Sequence, residues 1–149
     1  CAPSSSRLGM SRIFWDTNLF IYLIEEYGEL SERVVALRRR MLSRNDQLYT
    51  SALTLGEVLV KPTELGREAL RREYEAAISA GAIVIPFDVD AARIYAGIRR
   101  DREIRPPDAI QLACAVRARV DLFITNDDRL SEKTIPGIQF VTSLARSLV

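Results

Sequence analysis

Four acidic residues stand where short apolar runs give way to polar loops or helix starts. Asp16 closes Ile13-Phe14-Trp15-Asp16-Thr17-Asn18, and Glu57 closes Ser51-Ala52-Leu53-Thr54-Leu55-Gly56-Glu57. Asp108 follows Arg105-Pro106-Pro107, and Asp127 ends Phe123-Ile124-Thr125-Asn126-Asp127. In an α/β fold the carboxyl ends of parallel strands and the helix starts beside them share one edge, where ligands bind. Carboxylates from distant parts of the chain can meet there. Their mutual repulsion is costly unless a cation or a shared proton relieves it. An all-oxygen donor set suits hard divalent cations such as Mg²⁺ and Mn²⁺. The pattern therefore reads as a metal site.

Each acid also has a plain structural use. Asp16 precedes a helix, where Asp is a favoured N-cap, although Thr17 and Asn18 are alternative caps. Glu57 sits among Leu55, Val58 and Leu59, a setting that implies partial burial. Asp108 falls in a first helical turn, where the helix dipole stabilises a carboxylate regardless of catalysis. Asp127 and Asp128 follow Thr125-Asn126 in a stretch suited to a turn. Individually these signals are weak; their joint placement carries the reading.

The elements that must position these acids alternate between strand and helix. Arg12 to Trp15 is a β-branched and aromatic run that reads as a first strand, with a buried helix over 17–26. Gly28 breaks that helix, and Ser31 is placed to cap the next, which carries Val34, Val35, Leu37, Met41 and Leu42. Residues 47–50 read as a second strand. Ser51 or Thr54 opens the helix that holds Glu57, and Pro62 is expected to close it. Leu65, Ala69, Tyr74 and Ile78 mark an amphipathic helix over 65–79. Residues 82–86 read as a third strand and 88–102 as a further helix. Pro106-Pro107 then starts the helix carrying Asp108, since proline is tolerated in a first turn. Residues 122–125 and 138–141 complete the strands. The expected fold class is α/β, a single-domain α/β/α sandwich with a mainly parallel sheet of about five strands.

A chain of 149 residues fits one domain with a real core. The longest uninterrupted apolar run, Leu19 to Ile24, is far too short to cross a bilayer. Residues 1–9 are Ser-rich without an apolar core, so they read as a tag remnant rather than a signal peptide, leaving 10–149 as the domain. Cys114 is then the only cysteine, which excludes a disulfide framework or a cysteine-based zinc site and points to a cytoplasmic protein. With a net charge of +1, overall charge predicts no partner. Arginine clusters locally at Arg38-Arg39-Arg40 and along Arg99 to Arg105. Arginine forks match phosphate geometry. The second run enters the loop that delivers Asp108, so Arg102 and Arg105 are candidate contacts to a nucleic-acid backbone; solvated helix faces are the plainer alternative.

Ile-Phe-Trp-Asp-Thr-Asn, Thr-Leu-Gly-Glu-Val, Pro-Asp-Ala-Ile-Gln-Leu-Ala and Ile-Thr-Asn-Asp, in that order, resemble the PIN-domain ribonucleases, especially their VapC-type toxins. The resemblance spans almost the whole chain after Met10. It implies that Asp16, Glu57, Asp108 and Asp127 form a catalytic and metal-binding quartet, with Asn18 and Thr125 in support and Asp128 as an additional acid beside the matched one. It further implies Mg²⁺- or Mn²⁺-dependent endonucleolytic cleavage of RNA, a small antitoxin partner covering the acidic groove, and a homodimer. The chain has no histidine, which excludes acid–base catalysis by a histidine pair. A PIN-like module that binds RNA or protein without cutting is the alternative, although all four matched acids are present. A receiver-like domain fits poorly, because its first strand usually ends in paired acids and a lysine usually follows late in the chain. Here the first strand ends in a single acid, and the only lysines are Lys61 and Lys133.

Overall fold

Ile13, Phe14 and Trp15 have no exposed surface, as befits a strand inside a sheet that is covered on both faces. In the computed structural model, which describes residues 11–147, that strand is β1 (Arg12–Trp15) at the centre of a five-stranded sheet of order β3-β2-β1-β4-β5. Its companions are β2 (Gln47–Ser51), β3 (Ile83–Ile85), β4 (Leu122–Thr125) and β5 (Phe140–Ser143). Every pairing is parallel. The stretch 1–9, read above as a tag remnant, lies outside the described residues.

Alternation along the strands divides the core in two. Phe14, Tyr49 and Phe123 face one layer, with Phe14 and Phe123 stacked at 5.1 Å between ring centroids. That layer is formed by α5 (Val89–Ile98) and α6 (Pro106–Arg117). Ile13, Trp15, Leu48 and Ile124 face the other. There α1 (Thr17–Ile24), α2 (Glu29–Ser43), α3 (Ala52–Glu64) and α4 (Glu68–Gly81) supply Leu19, Phe20, Val34, Leu37, Met41, Val58 and Ile78. A short helix, α7 (Asp128–Ser131), follows β4. The result is the expected α/β/α sandwich, with a sheet that is wholly rather than mainly parallel. No helix among the described residues is long and apolar enough to cross a membrane.

Several element ends differ from the sequence reading, each for a local reason. Pro62 does not close α3 but lies inside it, near its end. Its ring is buried one turn beyond buried Val58, so packing on a shared face offsets the single backbone hydrogen bond that proline removes. The amphipathic helix expected from residue 65 begins only at Glu68, because Gly66 takes a left-handed φ of 66° and turns the chain first. Gly28 precedes α2 directly, and Ser31 sits inside it, accepting from Tyr27 N and donating to Glu25 O. The helix expected over 88–102 ends at Ile98, and the fifth strand begins at Phe140.

The chain leaves β1 for β2 and β3 on one side, then returns to β4 on the other. The sheet's switch point therefore lies between the carboxyl ends of β1 and β4, where such folds open a crevice. Gly137, between α7 and β5, carries a left-handed φ of 96°, and a Cβ built there would meet Val116 Cγ1 at 2.9 Å. Gly137→Ala should consequently destabilise the fold by about 1–3 kcal/mol, through backbone strain and overpacking together. Thermal denaturation checks this, and a wild-type midpoint would show that the turn relaxes freely.

Candidate active site

Asp16 leaves β1 and becomes the N-cap of α1, its Oδ1 accepting from Thr17 N at 2.8 Å. The capping use and the site use therefore coincide in one side chain. Its other oxygen accepts from Thr125 Oγ1 at 2.8 Å, from the end of β4. Thr125 Oγ1 in turn accepts from Asp127 N at 3.0 Å, so one hydroxyl ties two acid-bearing segments together. Asp127 caps α7, its Oδ1 accepting from Arg129 N and Leu130 N. Glu57 projects from the second turn of α3, whose N-cap is Ser51. Glu57 Oε1 accepts from Thr17 Oγ1 at 2.6 Å.

Asp108 arrives by a different route. Arg105 is extended, as a residue before proline prefers. Pro106 and Pro107 occupy the start of α6, which puts Asp108 in its first turn.

The switch-point crevice gathers all four acids. Asp16, Glu57, Asp108 and Asp127 line a cavity of about 340 Å³, together with Thr17, Asn18, Ile21, Pro107 and Gln111. Asp128 is absent from that lining and is exposed, so of the two adjacent acids it is Asp127 that reaches the crevice. A larger cavity of about 700 Å³ adjoins it, sharing Asp108 and Asp127 and adding Arg102, Arg105, Arg129 and Lys133. Within it Lys133 is paired with Asp101 and Glu103, and Arg129 with Asp127. Arg102 and Arg105 form no ion pair with the described residues. Arg38, by contrast, is partly buried and donates to Gly81 O at 3.2 Å, which gives that arginine a structural use, while Arg39 and Arg40 are exposed.

Burial sets the electrostatics. It pushes the Asp16 carboxyl up to about 6, with smaller upward contributions from the Asp108 and Glu57 charges; the hydrogen bonds from Thr125 and Thr17 hold it down in part. Asp108 is also raised, by burial first and by the Asp127 charge second, while Arg105 and Arg129 pull it back. Burial raises the Cys114 thiol to about 11.

Sequence reasoning missed the polar scaffold behind the acids: Thr17, Thr54, Ser51 and Gln111. Gln111 Nε2 donates to Thr17 Oγ1 and Thr54 Oγ1, both at 2.8 Å, and its Oε1 accepts from Ser51 Oγ. The available signal was one amide, a turn after Asp108, within the otherwise apolar run Ala109-Ile110-Gln111-Leu112-Ala113.

The donor set suits a hard cation, since every ligating atom on offer is oxygen and the like charges raise one another's proton affinity. The four acids line the cavity without closing a coordination shell: with the side chains as they stand, no three or more His, Cys, Asp or Glu among the described residues converge on one ion position. Asp16, Glu57 and Asp127 each commit an oxygen to a protein donor, and only Asp108 is held by no hydrogen bond among the described residues.

Fold and site together define a parallel α/β/α domain with a polyacidic crevice at its switch point. The model of the PIN domain matches residues 13–135, and the chain belongs to the PIN-domain family. No curated protein matches it in sequence. Among solved structures it is similar to a chain of the DNA-bound VapBC from Salmonella typhimurium, at 26% identity and a TM-score of 0.68, over 91% of this chain and 99% of that one. A chain of VapBC2 from Rickettsia felis, bound to a DNA fragment from their promoter, aligns at 15% identity and a TM-score of 0.66, over 89% of this chain and 98% of that one. A chain of VapBC-5 from Mycobacterium tuberculosis, a toxin-antitoxin system, aligns at 22% identity and a TM-score of 0.58, over 89% and 98%.

Because the folded Asp16 carboxyl titrates near 6 rather than 3.8, the folded chain holds this proton more tightly than the unfolded chain. That contribution to stability is fully present below about pH 3.8 and lost as pH rises through 6. In EDTA at pH 7.5, Asp16→Asn should be more stable than wild type by about 1–3 kcal/mol, and the gain should shrink towards pH 4. Denaturant unfolding at the two pH values tests this; a pH-independent difference would refute the buried-charge account.

Proposed function

We propose that the chain is a Mg²⁺- or Mn²⁺-dependent endoribonuclease and the toxin of a toxin–antitoxin pair. The observation that carries this reading is the convergence of Asp16, Glu57, Asp108 and Asp127 on one cavity, with Arg102 and Arg105 lining the cavity beside it. Asp16, Glu57, Asp108 and Asp127 would hold the cation, with Asn18 at the rim and Thr125 fixing Asp16. When bound, such a cation supplies positive charge at the scissile phosphate and makes a nearby water more acidic.

The remaining work belongs to side chains. Asp108, whose carboxylate carries no competing hydrogen bond, accepts the proton of the attacking water. Arg102 and Arg105 bind flanking phosphates and offset the repulsion between an acidic crevice and a polyanion. The similarity to a chain of a VapBC complex supports an antitoxin partner; in this reading it is a small protein that covers the crevice. A homodimer belongs to the same reading and is checked by light scattering.

Cleavage of RNA by the purified protein should vanish in EDTA and return with Mn²⁺ or Mg²⁺. Asp16→Asn and Asp108→Asn should each lose at least about 100-fold in rate with the fold retained. RNA binding without cleavage in any metal would instead favour a non-catalytic binding module.

Replacing Arg102 and Arg105 together with Ala should weaken RNA binding about tenfold and reduce the slope of log affinity against log salt by about one to two, leaving metal binding intact. An unchanged salt slope would remove the pair from the RNA path.

A further inference from the structure

Gln111 is 2% exposed and lies one turn beyond Asp108 on α6, where every neighbouring buried side chain is apolar apart from those it bonds. A carboxamide is costly in such a place unless its groups are paired. Here both ends are, and the pairing has a direction. Ser51 Oγ, which also caps α3 by accepting from Thr54 N, donates to Gln111 Oε1. Gln111 Nε2 donates to Thr17 Oγ1 and Thr54 Oγ1, and Asp16 Oδ1 stands 3.4 Å from the same nitrogen.

The partners fix which end of the amide faces them. Thr17 commits its hydroxyl hydrogen to Glu57 Oε1, so only its lone pairs face Gln111. A carboxylate oxygen on the same side likewise requires the NH₂ group there. Hydrogen bonding thus runs one way, from Ser51 through Gln111 and Thr17 to Glu57, and brushes Asp16 on its path.

We propose that Gln111 is a positioning residue: by donating to Thr17 beside Asp16, its buried carboxamide sets the placement of the Asp16 and Glu57 carboxylates on the crevice wall. The inference rests on the metal-nuclease reading and deepens it, because it names the side chain that holds two of the four ligands. Without the amide, Thr17 keeps its 3.1 Å bond with Thr54 Oγ1 but loses the shorter one from Gln111, and the hydroxyl that orients Glu57 is held less firmly. Groups behind metal ligands typically influence affinity or activity by ~10–100-fold. A Gln111 that only satisfied buried hydroxyls would affect stability and nothing else.

The experiment compares Gln111→Met, which keeps volume and removes both amide functions, with Thr17→Val, which breaks the same path without disturbing α6. Mn²⁺ affinity is read by calorimetry, single-turnover cleavage of RNA by product formation, and folding by circular dichroism. Each variant is expected to lose ~10–100-fold in Mn²⁺ affinity or cleavage rate, with KM for RNA within about twofold. The double variant is expected to lose no more than the worse single one, because the two act in series. Thr17→Ser should recover most of what Thr17→Val loses.

If Gln111→Met fails to fold, Thr17→Val and its recovery by Ser carry the test. Wild-type metal affinity and rate in either folded variant would overturn the inference and leave the nuclease reading standing, as would fully additive losses. A wild-type protein that neither binds Mn²⁺ nor cleaves RNA overturns both together.

Discussion

Everything at the crevice depends on keeping a buried carboxylate near other carboxylates. Asp16 sits at 8% exposure, where burial alone opposes its charge and the charges of Asp108 and Glu57 add to the opposition. Two hydrogen bonds, from Thr125 Oγ1 and Thr17 N, make the position tolerable. Those donors come from the end of β4 and the start of α1, so the electrostatic problem is answered by the two elements that define the switch point. The sheet order supplies the crevice, and the crevice in turn dictates which polar side chains must surround it.

This dependence explains why so many groups here serve twice. Asp16 and Asp127 cap helices while facing the cavity. Ser51 caps α3 and orients Gln111, and Thr125 joins the side chain of one acid to the backbone of another. In a low-dielectric setting each polar group must be paired, and few residues fit into the space. Shared duty is the economical arrangement, and it makes geometry at the site inseparable from local folding.

Much of this was legible in the sequence, for reasons that differ by element. Arg12–Trp15 and Leu122–Thr125 were bounded correctly because strands with a buried interior read as short apolar runs flanked by polar residues. The acids stood out as charges placed next to such runs. Helix ends were harder: the pattern that marks an inner face runs on into turns, as at Leu65 before Gly66, and a proline in a last turn is compatible with helix, as at Pro62. The polar scaffold escaped notice because Thr17, Thr54 and Gln111 are ordinary helix residues in one dimension. Their role exists only once α1, α3 and α6 converge.

The central pairing also has a consequence in time. β1 is hydrogen-bonded to β4, and Asp16 depends on a hydroxyl 109 positions later in the chain. Non-local contacts of this kind form late, after the intervening segment has been closed into a loop. During synthesis, which proceeds from the N-terminus, β1 to β3 and the helices α1 to α6 all emerge before Thr125 can reach the Asp16 side chain. The crevice thus has no completed form on a nascent chain until residues beyond Asp127 have left the ribosome.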